Sequence, residues 1–276
     1  MRTRNPAVEG RFYPYSKDQI FEQIRDMEKR HRYPEIGIDP ARIFGAVLPH
    51  AGHTYSGYQT IPFFHLLTKL ERYPDTFVIV HPNHSGFGSE LAVDDSDLWG
   101  NSIGDVPLDR EFAEALSLPF DHLAHSHEHS AEVIIPFLQF FLPSHPFSIV
   151  PICMLDQSYD SASRVAGQIE KAVAFTNRHV MVIASSDFSH FLAPAEGETR
   201  DQFVLHEIFG RNAAGVEETV KRRQVSVCGY GPIMALMKYS EALFADYQVQ
   251  ILARGHSGQV IPSREVVDYI SLILYQ

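Results

Sequence analysis

Fifteen histidines stand in this 276-residue chain, and the informative ones fall where an apolar run gives way to polar residues. His50 and His53 lie in Pro49-His50-Ala51-Gly52-His53, just after Ile43-Phe44-Gly45-Ala46-Val47-Leu48. His81 and His84 lie in His81-Pro82-Asn83-His84, after Thr76-Phe77-Val78-Ile79-Val80. Asp187 and His190 lie in Ser185-Ser186-Asp187-Phe188-Ser189-His190, after His179-Val180-Met181-Val182-Ile183-Ala184. Cys228 opens the turn Cys228-Gly229-Tyr230-Gly231-Pro232. Neutral imidazole combined with carboxylate or thiolate is the ligand set that first-row transition metals prefer, and two histidines with one anion leave positions open on non-haem iron. Imidazole also titrates near neutral pH, so the same residues suit proton transfer. One histidine at a strand end is more often structural than a ligand. Several at corresponding strand ends are different, because a parallel sheet brings its carboxyl ends to one edge, where α/β proteins bind ligands.

Those runs define the elements that must do the positioning. The chain reads as α/β, one domain over 1–276, with a mixed and mostly parallel central sheet covered by helices on both faces. Ser16 caps a helix reaching to about Arg32, and Tyr33 to Pro40 form a proline-bounded loop. The strand at 43–48 leads into a helix over 58–70, and the strand at 76–80 ends in the loop His81 to Gly88. Glu90 to Pro107 reads as a β-excursion, followed by a helix from Asp109 to about Leu116. A third histidine cluster (His122, His125, His127, His129) precedes an apolar helix over 133–141, with Glu128, His129 and Glu132 at its start, where the helix dipole favours a carboxylate. Strands at 147–152, 179–184, 249–253 and 266–274 complete the sheet. Further helices fall at 158–175, 197–209, 215–222 and from 232 to about 243.

Composition excludes several function classes. A net charge of −11 argues against nucleic acid as a partner, because phosphate contacts need a basic footprint. There is no run of about 18 apolar residues that would span a membrane, and the first residues lack the apolar centre of a signal peptide. With two cysteines, a disulfide framework is not expected and a cytoplasmic setting is. Cys153 follows a buried strand and reads as a small core residue. Cys228 as a nucleophile with His190 and Asp187 is an alternative, though no nucleophile motif surrounds it. Ser186-Asp187 lacks the glycines of a nucleophile elbow, and no phosphate-cradling glycine loop is present.

Taken in order, Ala7-Val8-Glu9-Gly10-Arg11-Phe12-Tyr13-Pro14, Pro49-His50-Ala51-Gly52, Pro82-Asn83-His84, Glu128-His129-Ser130, Ser185 to His190 and Cys228-Gly229 resemble the Memo family, called AmmeMemoRadiSam system protein B in prokaryotes. The resemblance runs nearly end to end, and its motifs are specific together although none is so singly. It implies a fold like that of the class III extradiol ring-cleaving dioxygenases. It also implies metal ligands at His50, His84 and Cys228, with Asp187 and His190 as polar residues bordering the site. Cys228 replaces the carboxylate ligand of those dioxygenases, and a thiolate shifts preference toward softer metals.

Three functions follow as expectations. The first is a dioxygenase-like oxidoreductase. A divalent transition metal, iron first and copper or zinc next, would bind a small aromatic or vicinal-diol substrate. His190 (oriented by Asp187) and His129 would act as acid/base groups. The second is a metal-binding accessory protein working with a radical-SAM protein and an AMMECR1-like protein, the companions that the family name implies. The third is a zinc-dependent hydrolase at the same ligands.

Overall fold

The computed structural model describes residues 1–30, 33 and 36–276. In chain order, β1 (Thr3–Arg4) leads through an irregular arm to α1 (Lys17–Arg30), then β2 (Ile43–Leu48), α2 (His53–Leu67) and β3 (Thr76–Pro82). The short strands β4 (Leu91–Val93), β5 (Leu98–Trp99) and β6 (Val106–Pro107) precede α3 (Arg110–Ala115), α4 (Leu123–Ser126) and α5 (Ile135–Phe141). Next come β7 (Ser148–Met154), α6 (Tyr159–Thr176), β8 (Val180–Ser185), β9 (His190–Leu192), α7 (Pro194–Phe209), α8 (Ala213–Arg223) and α9 (Tyr230–Leu243). The chain closes with β10 (Gln248–His256) and β11 (Val266–Tyr275).

The main sheet has the order β10-β11-β2-β8-β3-β7-β4, with β9 paired to β11. Its four central strands, β2, β8, β3 and β7, run parallel, while β4, β10 and β11 pair antiparallel at the flanks. This is the mixed α/β class expected from the sequence, with the parallel pairing confined to the four central strands. The central strands are apolar without interruption because both faces are covered, and alternate residues serve opposite cores. Val78, Val80, Val182 and Ala184 pack with α3, α6, α7, α8 and α9. Phe77, Ile79, Met181 and Ile183 pack with α1, α2 and α5. Two of the helix starts on the same face of the sheet are capped by side chains: for α3, Asp109 accepts the Phe112 N–H at 3.1 Å, and for α6, Ser158 accepts the Ser161 N–H at 3.3 Å.

Several boundaries differ from expectation in ways that bear on function. Helix α2 starts at His53, not Tyr58, because the Phe12 carbonyl accepts the His53 N–H at 2.8 Å and settles the first turn. Strand β3 continues through His81 and Pro82, since β7 pairs with it as far as His81↔Cys153 and Pro82↔Met154. The expected excursion at 90–107 divides: β4 joins the main sheet, and β5 and β6 form a separate three-stranded sheet with β1. The last two residues of the expected first helix, and Pro34 and Glu35 of the loop after it, lie outside the described residues. Cys153 is buried within β7, as expected of a small core residue. Among the described residues, no helix is long and apolar enough to cross a membrane.

Candidate metal centre

Strands β2, β8 and β3 are neighbours and parallel, with Leu48 level with Ser185 and Val80 level with Ala184. Their carboxyl ends therefore deliver His50, Asp187 and His84 to a single edge. The turn before α9 brings Cys228 to the same place, where Gly229 lies so close to Ser185 and Ser186 that a side chain there would overlap them. The ligand atoms of His50, His84 and Cys228 all lie within 4.8 Å of one another. Nε2 of His50 is 3.1 Å from Cys228 Sγ.

Hydrogen bonds decide which imidazole nitrogen is free. The Ser185 hydroxyl donates to the Ser130 carbonyl at 2.6 Å, so toward His50 Nδ1, at 2.8 Å, it can only accept. His50 therefore carries its proton on Nδ1 and presents an Nε2 lone pair to Cys228. Glu128 does the same for His84: Oε1 accepts from Nδ1 at 3.0 Å, and Oε2 accepts the His84 main-chain N–H. A carboxylate behind a ligating histidine fixes its tautomer and raises its basicity. Glu128 is buried, which pushes its pKa up, but the hydrogen bond from His84 and the surrounding imidazoles outweigh this and hold it well below the carboxylate range. Burial pushes His50 well below the usual imidazole value, and neighbouring His129 and His84 add to that, so it stays neutral. Burial, then the charge of Asp187, pushes the Cys228 thiol up. Two imidazole nitrogens and one sulfur converge, and a divalent transition metal fits this donor set.

His129 also reaches the site. Its ring stacks on His84 at 4.8 Å between centroids and meets His50 edge-on at 5.5 Å. Burial lowers its pKa to about 4 against the opposing charge of Glu128. Asp187 lies against His50: Oδ1 accepts the His50 main-chain N–H at 2.8 Å, and Oδ2 is 4.0 Å from Nε2. Burial pushes its carboxyl up to about 6, opposed by that N–H and by the charge of His190. His190 is oriented by a residue other than the expected Asp187: Nδ1 donates to the Ser226 carbonyl at 2.8 Å, leaving Nε2 free.

Other histidines of the sequence clusters do not join the centre. His53 is buried in the first turn of α2, donating through Nε2 to the Val133 carbonyl at 2.7 Å and packed on Phe137. His81 and His125 form a buried pair behind the site, with Nε2 of His81 3.3 Å from Nδ1 of His125. His127 is exposed beside Phe87. A separate grouping of Asp94, Asp95 and His122 could also hold a cation by distance. There Asp94 is already occupied by Trp99, Ser96 and His122, and Asp95 by Arg2. Sequence reasoning quoted Ser185 and Ser130 within motifs but gave them no role, and it did not single out Arg4. The Glu128-His129-Ser130 motif held the signal for Glu128 and Ser130, whereas nothing local marks Arg4.

The comparisons agree with this architecture. The family described as Memo-like protein matches residues 4–273. A MEMO1 family protein of Archaeoglobus fulgidus is 38% identical over 274 residues, covering 98% of each chain. One of Methanococcoides burtonii is 35% identical over 274 residues, covering 98% of this chain and 99% of its own. In fold, the chain is similar to the crystal structure of an uncharacterized Escherichia coli K12 protein, with TM-score 0.51, 13% identity, and coverage of 83% of this chain and 99% of that one. The match over nearly all of its length, with relatives this similar, makes the chain a member of the Memo family.

Proposed function

We propose that this Memo-family protein holds a divalent transition metal at His50, His84 and Cys228 and carries out dioxygenase-like oxidation of a small aromatic or vicinal-diol compound in the cytoplasm. The observation that carries the reading is the convergence of three ligand atoms within 4.8 Å, two of them imidazole nitrogens whose lone pairs are freed by Ser185 and Glu128. Iron is the metal proposed first, with copper or zinc as the alternatives that a sulfur ligand also suits. When bound, the metal would supply open positions for substrate and dioxygen. The chain's own residues do the rest. His190, with Nε2 free, takes a substrate proton, Asp187 holds the His50 main chain, and neutral His129, stacked on His84, is a second base. The test is anaerobic titration of the iron-loaded protein with catechols, followed by air. A new charge-transfer band and oxygen uptake are expected, and the absence of both refutes the reading.

Cys228 favours a second reading, because a sulfur ligand where ring-cleaving enzymes have a carboxylate suits holding or handing over a soft metal. The protein would then act as an accessory to a radical-SAM and an AMMECR1-like protein. Tight metal binding with no oxygen uptake, together with co-purification of either partner, is its signature. A zinc hydrolase is distinguished by activity that persists without oxygen.

A further inference from the structure

The N-terminal arm supplies no ligand, yet it touches both halves of the centre. Arg4 is buried, with the central carbon of its planar guanidinium 4.0 Å from the centre of the Trp99 ring. Each of its three nitrogens donates: Nε to the His125 carbonyl at 2.9 Å, Nη2 to the Glu128 carbonyl at 2.6 Å, and Nη1 to Glu132 Oε2 at 2.8 Å. Glu132, equally buried, also accepts the main-chain N–H groups of Ala7 and Val8 and the Tyr13 hydroxyl, at 2.8, 3.0 and 2.8 Å. Arg4 thus bonds to three points of the segment 125–132, which carries Glu128 and His129. Further along the arm, the Phe12 ring meets His129 at 4.8 Å. The Phe12 carbonyl holds the His53 N–H, and the arm backbone lies 3.3 Å from where a side chain on Gly52 would begin.

We infer that the arm, residues 3–13, is a clasp that assembles the centre from outside it, with Arg4 and Glu132 as positioning residues. Arg4 fixes the Glu128 main chain, the Glu128 carboxylate fixes His84 Nδ1, and the His84 ring is thereby held beside His50 and Cys228. The guanidinium reaches two carbonyls and a carboxylate from three separate nitrogens held in one plane, a spread that an ammonium with all its donors on one atom does not match, so lysine does not replace Arg4. Binding linkage then makes metal affinity depend on arm seating, and arm seating on metal. This inference rests on the metal reading above.

The experiment compares the full chain with Arg4→Lys, Glu132→Gln and the milder Tyr13→Phe, using Co(II) as the probe and its d–d and sulfur-to-cobalt bands as the readout. Ile169→Ala, in α6 on the other face of the sheet, is the control for general loss of Tm. The expected result is Co(II) affinity lowered about tenfold or more in Arg4→Lys and Glu132→Gln, as for other groups that support metal ligands, with no change in Ile169→Ala. Affinity within twofold of the natural chain in both, or an equal fall in Ile169→Ala, overturns the inference. Should the natural chain take up no Co(II), the metal reading fails by itself. The clasp is then judged by hydrogen exchange at the His84 and His129 amides of the metal-free protein, both of which donate to Glu128. Faster exchange in the variants upholds it and unchanged exchange overturns it.

Discussion

Glu128 closes on both ends of His84, with Oε2 accepting its main-chain N–H at 2.5 Å and Oε1 its Nδ1–H at 3.0 Å. Because the same carboxylate takes the His129 and Ser130 N–H groups, an amide cannot substitute for it without turning an NH2 toward a donor. Glu128→Gln should therefore lower metal affinity about 10- to 100-fold while the chain stays folded. Isothermal titration of the metal-free protein with Co(II) measures this, and an unchanged affinity would remove Glu128 from the centre.

His50→Ala and His84→Ala are each expected to abolish stoichiometric metal binding, and Cys228→Ser to eliminate the sulfur-to-metal absorption band. Elemental analysis of protein prepared without an affinity tag gives the counts, and circular dichroism confirms the fold. Full metal content in both alanine variants would contradict the ligand assignment.

His53 offers the converse test. It sits three residues from His50 but donates to Val133 inside the core, so His53→Leu should leave the metal stoichiometry untouched. Its cost is the unpaired Val133 carbonyl, about 1–3 kcal/mol in urea unfolding. Loss of metal in this variant would mean that the helix start, and not the strand end, governs the site.

Asp201 and Asp268 form a buried carboxyl pair beneath the Asp187–His190 segment, where Asp201 Oδ1 accepts the Ser189 N–H at 3.0 Å and its hydroxyl at 2.6 Å. Burial above all, with the hydrogen bond and charge of Asp268 acting the same way against the Ser189 hydroxyl, pushes Asp201 up to about 7. Arg254 faces the pair at 3.2 Å from Asp201 and also meets Glu198. The folded state thus holds this proton more tightly than the unfolded chain does. The stabilisation is complete below the ordinary carboxylate value and is lost as pH rises through about 7. Asp201→Asn should raise Tm at pH 8 more than at pH 5, flattening the pH dependence. Parallel Tm profiles for the variant and the natural chain would show that the pair does not share a proton.

With iron loaded, His190→Gln should keep the metal and reduce turnover of a catechol substrate by about 10²- to 10⁴-fold, the range for loss of a general acid/base. Oxygen consumption measures the rate. Undiminished turnover would assign the proton transfer to His129 or Asp187 instead.

How far the sequence reached depended on distance along the chain. Uninterrupted apolar runs such as 76–80 and 179–184 identified buried parallel strands, because strands covered on both faces need no polar alternation. Once those strands are parallel, the residues just beyond them must gather at one edge, so His50, His84 and Asp187 were legible together. Boundaries set by remote contacts were not: His53 became helical because Phe12 accepts its N–H, and His81 stayed in the ladder because β7 is long enough to pair with it.

Which nitrogen of His50 is free, and what orients His190, likewise had no local signature, since Ser130, Ser185 and Ser226 act from elsewhere in the chain. The sequence by itself determined the types of donor available and the edge to which they would be carried, through hydrophobic patterning and strand direction. Only the tertiary structure decided which histidines share a point, because hydrogen bonds and ion pairs between residues far apart, such as Arg4 with Glu132, depend on positions that no local pattern encodes.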